Sequence, residues 1–306
     1  MRKNGFGAEL RANKVMFAML IPAFLFFFVN NYVPMVGMYY AFTRFTFSGG
    51  LFGSPFVGLS NFKFLLNSGK LLQLTVNTVS YNLAFILIGN TLQILLAVML
   101  SRTGGAAFKK ISQSLIFLPY FVSFVILNAI VYNLFNYDVG FLNNALKSLG
   151  MRSFDAYNTP GVWRVLMVAF YIWKWLGYGT VIYLAAITGI SPEYYEAADL
   201  DGASSFQQVR HITLPLLKTT FIILLLFSLG RIMRGQFDLF YQVIGQNGVL
   251  YDATDILDTY VYRVLKQDFD VGMGTAAGIY QSIFGFAVIM GANWAIKRKN
   301  AEYALF

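Results

Sequence analysis

Long apolar runs separated by short polar segments dominate this 306-residue chain. A helix that crosses a bilayer needs about 20 predominantly apolar residues. Six segments reach that length: 15–42, 73–101, 112–135, 163–187, 216–244 and 272–296. The pattern predicts an all-α, polytopic membrane protein with about six transmembrane helices. Three connections are long, at 43–72, 136–162 and 245–271, and the last carries Asp252, Asp255, Asp258, Asp268 and Asp270. Lys and Arg concentrate on the cytoplasmic side of spanning helices. Arg2, Lys3, Arg11, Lys14, Arg102, Lys109, Lys110, Arg210, Lys218, Lys297, Arg298 and Lys299 would share one side, which predicts cytoplasmic termini. The long acid-bearing connections then face outward, either as solvated caps or as a docking surface for a soluble delivery partner.

Composition narrows the class. The chain is 57% hydrophobic, 18% aromatic and only 12% charged, with a mean hydropathy of +0.58. A soluble domain carries about twice that charged fraction. The 31 Phe and 19 Tyr suit a lipid-facing surface with aromatic belts. Without cysteine there are no disulfides or thiolate metal sites, and the single His211 forms no metal cluster, so neither a metal nor a catalytic residue is expected. The net charge of +9 is scattered between apolar runs, which argues against nucleic acid and for topology signals. No small-residue cleavage pattern follows the first apolar run, so it reads as a retained helix in contact with membrane lipid.

The most informative polar stretch is 188–218, TGISPEYYEAADLDGASSFQQVRHITLPLLK. Ser191 before Pro192 is a helix-start signal. Glu193 and Glu196 favour the first turns of that helix. Gly202 marks a turn that glycine takes without steric cost. Ser204 or Ser205 can cap a second helix with Phe206, Val209 and Ile212 on one side, and Pro215 interrupts it before the next span. A short helix–turn–helix at the inner surface fits a partner's groove, or an amphipathic connector on lipid headgroups.

The same residues carry a resemblance. Glu196-Ala197-Ala198, three residues, Gly202, nine residues, then Ile212-Thr213-Leu214-Pro215 is similar to the EAA motif of ABC importer permeases, and Asp201-Gly202-Ala203 is similar to the carbohydrate variant. Phe56–Phe62 (FVGLSNF), Asn77-Thr78, Leu118-Pro119 and Trp173-Lys174 resemble further segments of the oligosaccharide subgroup, in which two different permeases pair; this chain looks like the first. The resemblance implies the type I importer permease fold. Residues 1–72 would hold the first helix and an external segment, 73–296 the transmembrane core with a coupling loop at 188–218, and 297–306 a cytoplasmic tail. It implies a bacterial cytoplasmic membrane and three kinds of partner: a second homologous permease, two ATP-binding cassette ATPases and an extracytoplasmic solute-binding protein. ATP and Mg would be bound by the ATPases, with no cofactor in this chain. Glu196, Ala197, Ala198, Asp201, Gly202, Ala203, Ile212, Leu214 and Pro215 would form the ATPase-coupling contact.

Charged residues inside spans are expensive and face a bundle interior or a water-filled path. Lys174 falls inside the fourth segment, and Arg231 and Arg234 inside the fifth. Helical spacing groups Arg231, Arg234, Asp238 and Gln242 on one face, Tyr171, Lys174, Trp175 and Tyr178 on another, and Thr78, Asn82, Gly89 and Gln93 on a third. These stripes, with Asn82 included, read either as the wall of an oligosaccharide path or as polar contacts between helices and with the partner permease. As a path wall, their cations favour an anionic sugar such as a uronide. Gly274-x-x-x-Gly278 allows close helix packing.

Other classes fit less well. Gly69-Lys70 is followed by leucine and lacks the P-loop pattern, so ATP hydrolysis belongs to another chain. A membrane enzyme lacks a nucleophile–base set. A secondary carrier would show inverted repeats and broken helices, whereas the sequence has no repeat and only isolated Gly and Pro. A non-sugar solute is the remaining alternative for the cargo.

Overall fold

The computed structural model describes residues 6–299 and Ala304. Arg2, Lys3 and the rest of the tail lie outside the described residues, as do the side chains of Arg11 and Lys299. The described chain is helical, with an isolated β-bridge between Thr43 and Phe56 and no strand. Ten helices are used below: α1 (Lys14–Phe42), α2 (Lys70–Arg102), α3 (Ala106–Phe121), α4 (Phe124–Phe135), α5 (Pro160–Thr188), α6 (Glu193–Leu200), α7 (Ser205–Leu229), α8 (Phe237–Ile244), α9 (Leu257–Lys266) and α10 (Val271–Lys299). Five of them (α1, α2, α5, α7 and α10) are long and apolar enough to cross a bilayer, and the bent pair α3–α4 counts as a sixth if its two arms form one broken span.

Packing divides the chain into two compact units. One runs to Asn67 and includes Val264–Ile279. In it α1 changes to π and 3-10 geometry after Phe27, and its span is unburied. The segment after α1 folds back on itself, with the Asn61 amide donating to Ala41 O at 2.9 Å and Thr43 O at 3.0 Å. A Cβ on Gly272 would fall 2.7 Å from both the Asn61 amide nitrogen and Thr43 O, so the start of α10 approaches at backbone distance. Gly274 of the small-residue motif packs closely on Leu265, while a Cβ at Gly278 would meet nothing within 4 Å.

The second unit holds Ser68–Arg263 and the chain from Tyr280 onward. Its spine is α2 packed along α5. Thr159-Pro160 starts α5 with proline where no backbone donor is needed. One apolar cluster joins α2, α4, α5 and α8 through Tyr81, Phe85, Leu127, Val131, Trp163, Met167 and Phe240. Another joins α2, α5 and α7 through Ala97, Leu100, Tyr183, Leu184 and Leu217. Where α3 crosses α5, a Cβ on Gly177 would lie 2.2 Å from Ile116 O, so only glycine permits the approach.

Two predicted spans are not continuous. Segment 112–135 is broken into α3 and α4, which meet at 92°. Pro119 sits in a tight 3-10 turn at the break, and Ser123 restarts the helix by accepting from Ile126 N at 3.2 Å. Segment 216–244 stops at Leu229 and resumes as α8 after a turn through 230–236. Both sides of each break are apolar on average, so hydropathy alone read through them. A Gly177→Ala variant should melt at lower temperature in detergent, because overpacking against backbone costs about 1–3 kcal/mol, while Gly278→Ala should not.

Candidate functional site

The coupling segment is a helix–turn–helix. Helix α6 begins after Pro192, and its two glutamates lie in the first turn. The predicted Ser191 cap is not formed by the side chain; the Ser191 carbonyl accepts from Tyr194 N instead. Gly202 has φ +74°, the left-handed conformation that the glycine predicts. Ser204 opens α7 with a capping box: its hydroxyl accepts from Gln207 N while the Gln207 side chain returns to Ser204 N. Ala198, Asp201, Gly202, Ala203, Gln207 and Ile212 line an open hollow of about 280 Å³. Glu196 and Ala197 are exposed beside it, as are Leu214 and Pro215 at the foot of α7. Leu200 stands 90% exposed at the end of α6, with Phe206 exposed on the next helix. Two large apolar side chains flanking a notch of small residues form an unfilled surface that a protein partner fits.

Residues outside the motif hold this hairpin. Arg102, the last residue of α2, donates to Gln208 Oε1 at 2.6 Å and lies 5.0 Å from the centre of the Tyr195 ring. Gln208 in turn donates to Asp199 Oδ1, and the Tyr195 hydroxyl is 3.0 Å from that of Thr213. Of these polar side chains Gln208 and Thr213 are buried, whereas Arg102 and Asp199 are exposed; the sequence pattern did not join α2 to the hairpin.

The polar stripes resolve differently. Arg231 and Arg234 are not mid-helix; they sit exposed in the turn between α7 and α8, so the stripe they were to form with Asp238 and Gln242 on one helix does not exist. The turn's backbone groups are individually met. Asn82 donates to Ile232 O and Arg234 O, both at 3.0 Å, Gln281 donates to Met233 O at 2.6 Å, and Gly235 N donates to Asp258. Asn82 is therefore buried against the turn. Burial pushes the Asp258 carboxyl above the usual range, opposed by its hydrogen bonds from Gly235 and Gln281.

Lys174 is 6% exposed. Its ammonium donates to Tyr120 O and Val122 O, the carbonyls released by the α3–α4 break, and lies 4.8 Å from the centre of the Phe124 ring. Tyr171 stacks on Phe85 at 3.8 Å and faces the core. Trp175 and Tyr178 gather with Tyr120, which the sequence pattern did not single out: Tyr120 stacks on Tyr178 at 5.1 Å and meets Trp175 edge-on at 5.4 Å. The Trp175 indole N–H is buried without a partner, and Tyr178 is exposed.

The acids of 245–271 divide: Asp252 and Asp268 are exposed, Asp258 and Asp270 half-buried, and Asp255 buried. Asp255 lies 2.5 Å from Arg263 and 3.7 Å from Lys70. Asp252 accepts from Gln73, and Asp270 accepts from Met273 N at the start of α10. Among the described residues, no group of His, Asp and Glu is placed to hold a metal.

Residues 89–300 match the family described as "Binding-protein-dependent transport system inner membrane component". The chain is 32% identical to Protein LplB of Bacillus subtilis (strain 168) over 96% of its own length and 92% of the relative's. It is also 32% identical to the polygalacturonan/rhamnogalacturonan transport system permease protein YteP of the same organism, over 96% of this chain and 91% of that one. A crystal structure of a bacterial alginate ABC transporter, in complex with an alginate pentasaccharide-bound periplasmic protein, contains a chain that superposes with a TM-score of 0.87. The identity there is 28%, covering 96% of this chain and 98% of that chain. The helix breaks that would have pointed to a secondary carrier thus occur within this permease fold.

Replacing Lys174 with Met removes both donors from the broken helix. Each buried acceptor left unmet costs about 1–3 kcal/mol, so Lys174→Met should lower the unfolding temperature of the purified protein and weaken uptake of acidic and neutral sugars alike. An unchanged melting temperature would show that the clamp contributes nothing.

Proposed function

The chain belongs to the family of binding-protein-dependent transport system inner membrane components, and from that premise we propose how it works: as one of two permeases in an ATP-driven importer of acidic oligosaccharides. It is a transport subunit rather than an enzyme. Its partners are a second homologous permease, two ATPase subunits that hold ATP and Mg, and an extracytoplasmic binding protein that delivers the sugar. The chain sits in the bacterial cytoplasmic membrane with both termini inside, as the distribution of Lys and Arg supports. Residues 73–296 form the transport core, preceded by 1–72 and followed by the tail 297–306.

The observation that carries this reading is the hairpin at 192–215. A left-handed Gly202, a hollow of small residues and an exposed Leu200 form a shape that no other part of the chain covers among the described residues. Glu196, Ala197, Ala198, Asp201, Gly202, Ala203, Ile212, Leu214 and Pro215 supply its surface for an ATPase cleft. Closure of the ATPases would then move the hairpin and the helices attached to it. Binding energy that differs between two conformations is what shifts such an equilibrium.

The cargo reading is supported by two features. YteP is named for polygalacturonan and rhamnogalacturonan, and the structural neighbour for alginate; all are acidic polymers. In this chain Arg231 and Arg234 are exposed on a turn whose backbone is held by other residues, and although Arg234 also acts on the Asp258 carboxylate, both guanidinium groups face outward where a sugar carboxylate can meet them. Tyr120, Trp175 and Tyr178 offer ring faces for sugar C–H surfaces. Asn82, Lys174, Tyr171 and Asp238 border this wall and shape it.

Two measurements test the proposal. Gly202→Asp places a side chain at φ +74° and a charge in the hollow. It should cut ATP-driven uptake about tenfold, the equivalent of ~1.4 kcal/mol of coupling, and intact uptake or a purified complex without an ATPase overturns the importer reading. Replacing Arg231 and Arg234 by Gln removes charge-assisted hydrogen bonds worth about 1.5–3 kcal/mol each. Uptake of trigalacturonate should then fall roughly tenfold or more while a neutral trisaccharide is spared; equal loss of both refutes the acidic cargo.

A further inference from the structure

Helix α2 is an unbroken 33-residue rod, and its two halves are fastened to different segments, the hairpin and the turn at 230–236. At its last residue, Arg102 donates to Gln208 Oε1 at 2.6 Å. Gln208 is 4% exposed, and its amide nitrogen donates to Asp199 Oδ1 of α6 and to Ala203 O at 3.4 Å, in the turn. The one amide therefore has its acceptor committed to α2 and its donors to the hairpin. The Arg102 guanidinium also lies over Tyr195 of α6, whose hydroxyl meets the buried Thr213. Gln208 and Thr213 are buried while Arg102 and Asp199 are exposed; the two buried groups hold one geometry, because displacement leaves them unmet. Just beyond them Ala97 and Leu100 of α2 pack with Tyr183, Leu184 and Leu217. Twenty residues back along α2, a separation of about 30 Å at 1.5 Å per residue, Asn82 grips Ile232 O and Arg234 O in the turn between α7 and α8.

We propose that Arg102 and Gln208 form the joint that passes movement of the coupling hairpin to α2, and that α2 carries it through Asn82 to the turn at 230–236. This rests on the assignment of 192–215 as the ATPase contact. Neither Arg102 nor Gln208 belongs to the E-A-A, Gly, I-x-L-P pattern; they are positioning residues behind the docking face. The joint matters to force rather than to assembly. With it cut, the ATPases still seat on the hairpin and hydrolyse ATP, but the hairpin moves without α2.

The chain has no cysteine, so spin labels can be placed on cysteines introduced at Met99 of α2 and Arg210 of α7, both exposed. The distance between them is measured by pulsed electron resonance in the complete complex in lipid nanodiscs, without nucleotide and after trapping with ATP and vanadate. In the otherwise native chain the distance should be the same in both states, as hairpin and α2 travel together. In Arg102→Met with Gln208→Leu, trapping should produce a second, shifted distance population, while ATP is still hydrolysed. Gln208→Glu sets two carboxylates together and should act likewise. Adding Asp199→Asn reverses the polarity of that bond, so the acid accepts from both neighbours and the single distance should return; a merely packed residue would show no such rescue. A distance that changes on trapping in the native chain, or a double variant indistinguishable from native, overturns the joint. A complex that contains no ATPase overturns the importer reading, and the joint with it.

Discussion

Hydrocarbon supplies no water to a broken helix, so every N–H or C=O freed by a break must find a partner within the protein. An unmet group there costs several kcal/mol. This chain interrupts its backbone twice among spanning helices, at 118–123 and at 230–236, and the positions of its polar side chains follow from that. Lys174 reaches the two carbonyls of the first break. Asn82, Gln281 and Asp258 divide the groups of the second. Polar residues in these helices thus serve the breaks first, and what they leave exposed is what a substrate can meet.

Helix α2 organises much of this. Beyond Asn82, its Asn77 donates to Asp252 O and Asp255 O, its Tyr81 to Ala253 O, and its Thr78 accepts from Leu257 N. Successive turns of one helix therefore meet backbone groups at 232, 234, 252, 253, 255 and 257, in the turns and short helices on either side of α8. The buried Asp255, with Arg263 and Lys70 on it, closes the same region with charge. Such a pair is costly to desolvate, but removing one partner costs more because it strands the other. The opposite end of α2 meets the hairpin, whose surface obeys the reverse rule. There apolar groups, Leu200 and Phe206, are left uncovered, and polar groups such as Gln208 are turned inward. That inversion is the physical mark of a docking face.

Legibility in the sequence depended on how local each signal was. Gly202, the Ser204 capping box and the spacing from Glu196 to Pro215 are decided within a few residues, and the hairpin was readable down to its turn. Span positions were also local, to within a few residues for α1, α2, α5 and α10. The Arg231–Asp238 stripe failed because helical spacing assumes a helix, and the chain around Gly230 and Gly235 has none. Tyr120 escaped notice because its place beside Trp175 and Tyr178 depends on α3 crossing α5 at Gly177. Of the acids of 245–271, Asp252 and Asp268 are surface charge as the pattern suggests, but nothing nearby in sequence reveals that Asp255 is covered.

The sequence by itself determined that this is a membrane protein of about six spans, because burial of apolar length in lipid needs no tertiary partner. It also determined that the segment 192–215 is a glycine-hinged helix pair, because caps and left-handed turns are properties of neighbouring residues. Only the tertiary structure decided where the spans break and which polar side chains are spent on closing those breaks. Lys174 and Tyr120 are 54 residues apart, and Asn82 and Ile232 are 150. Hydrogen bonds across such separations exist only once the helices have packed.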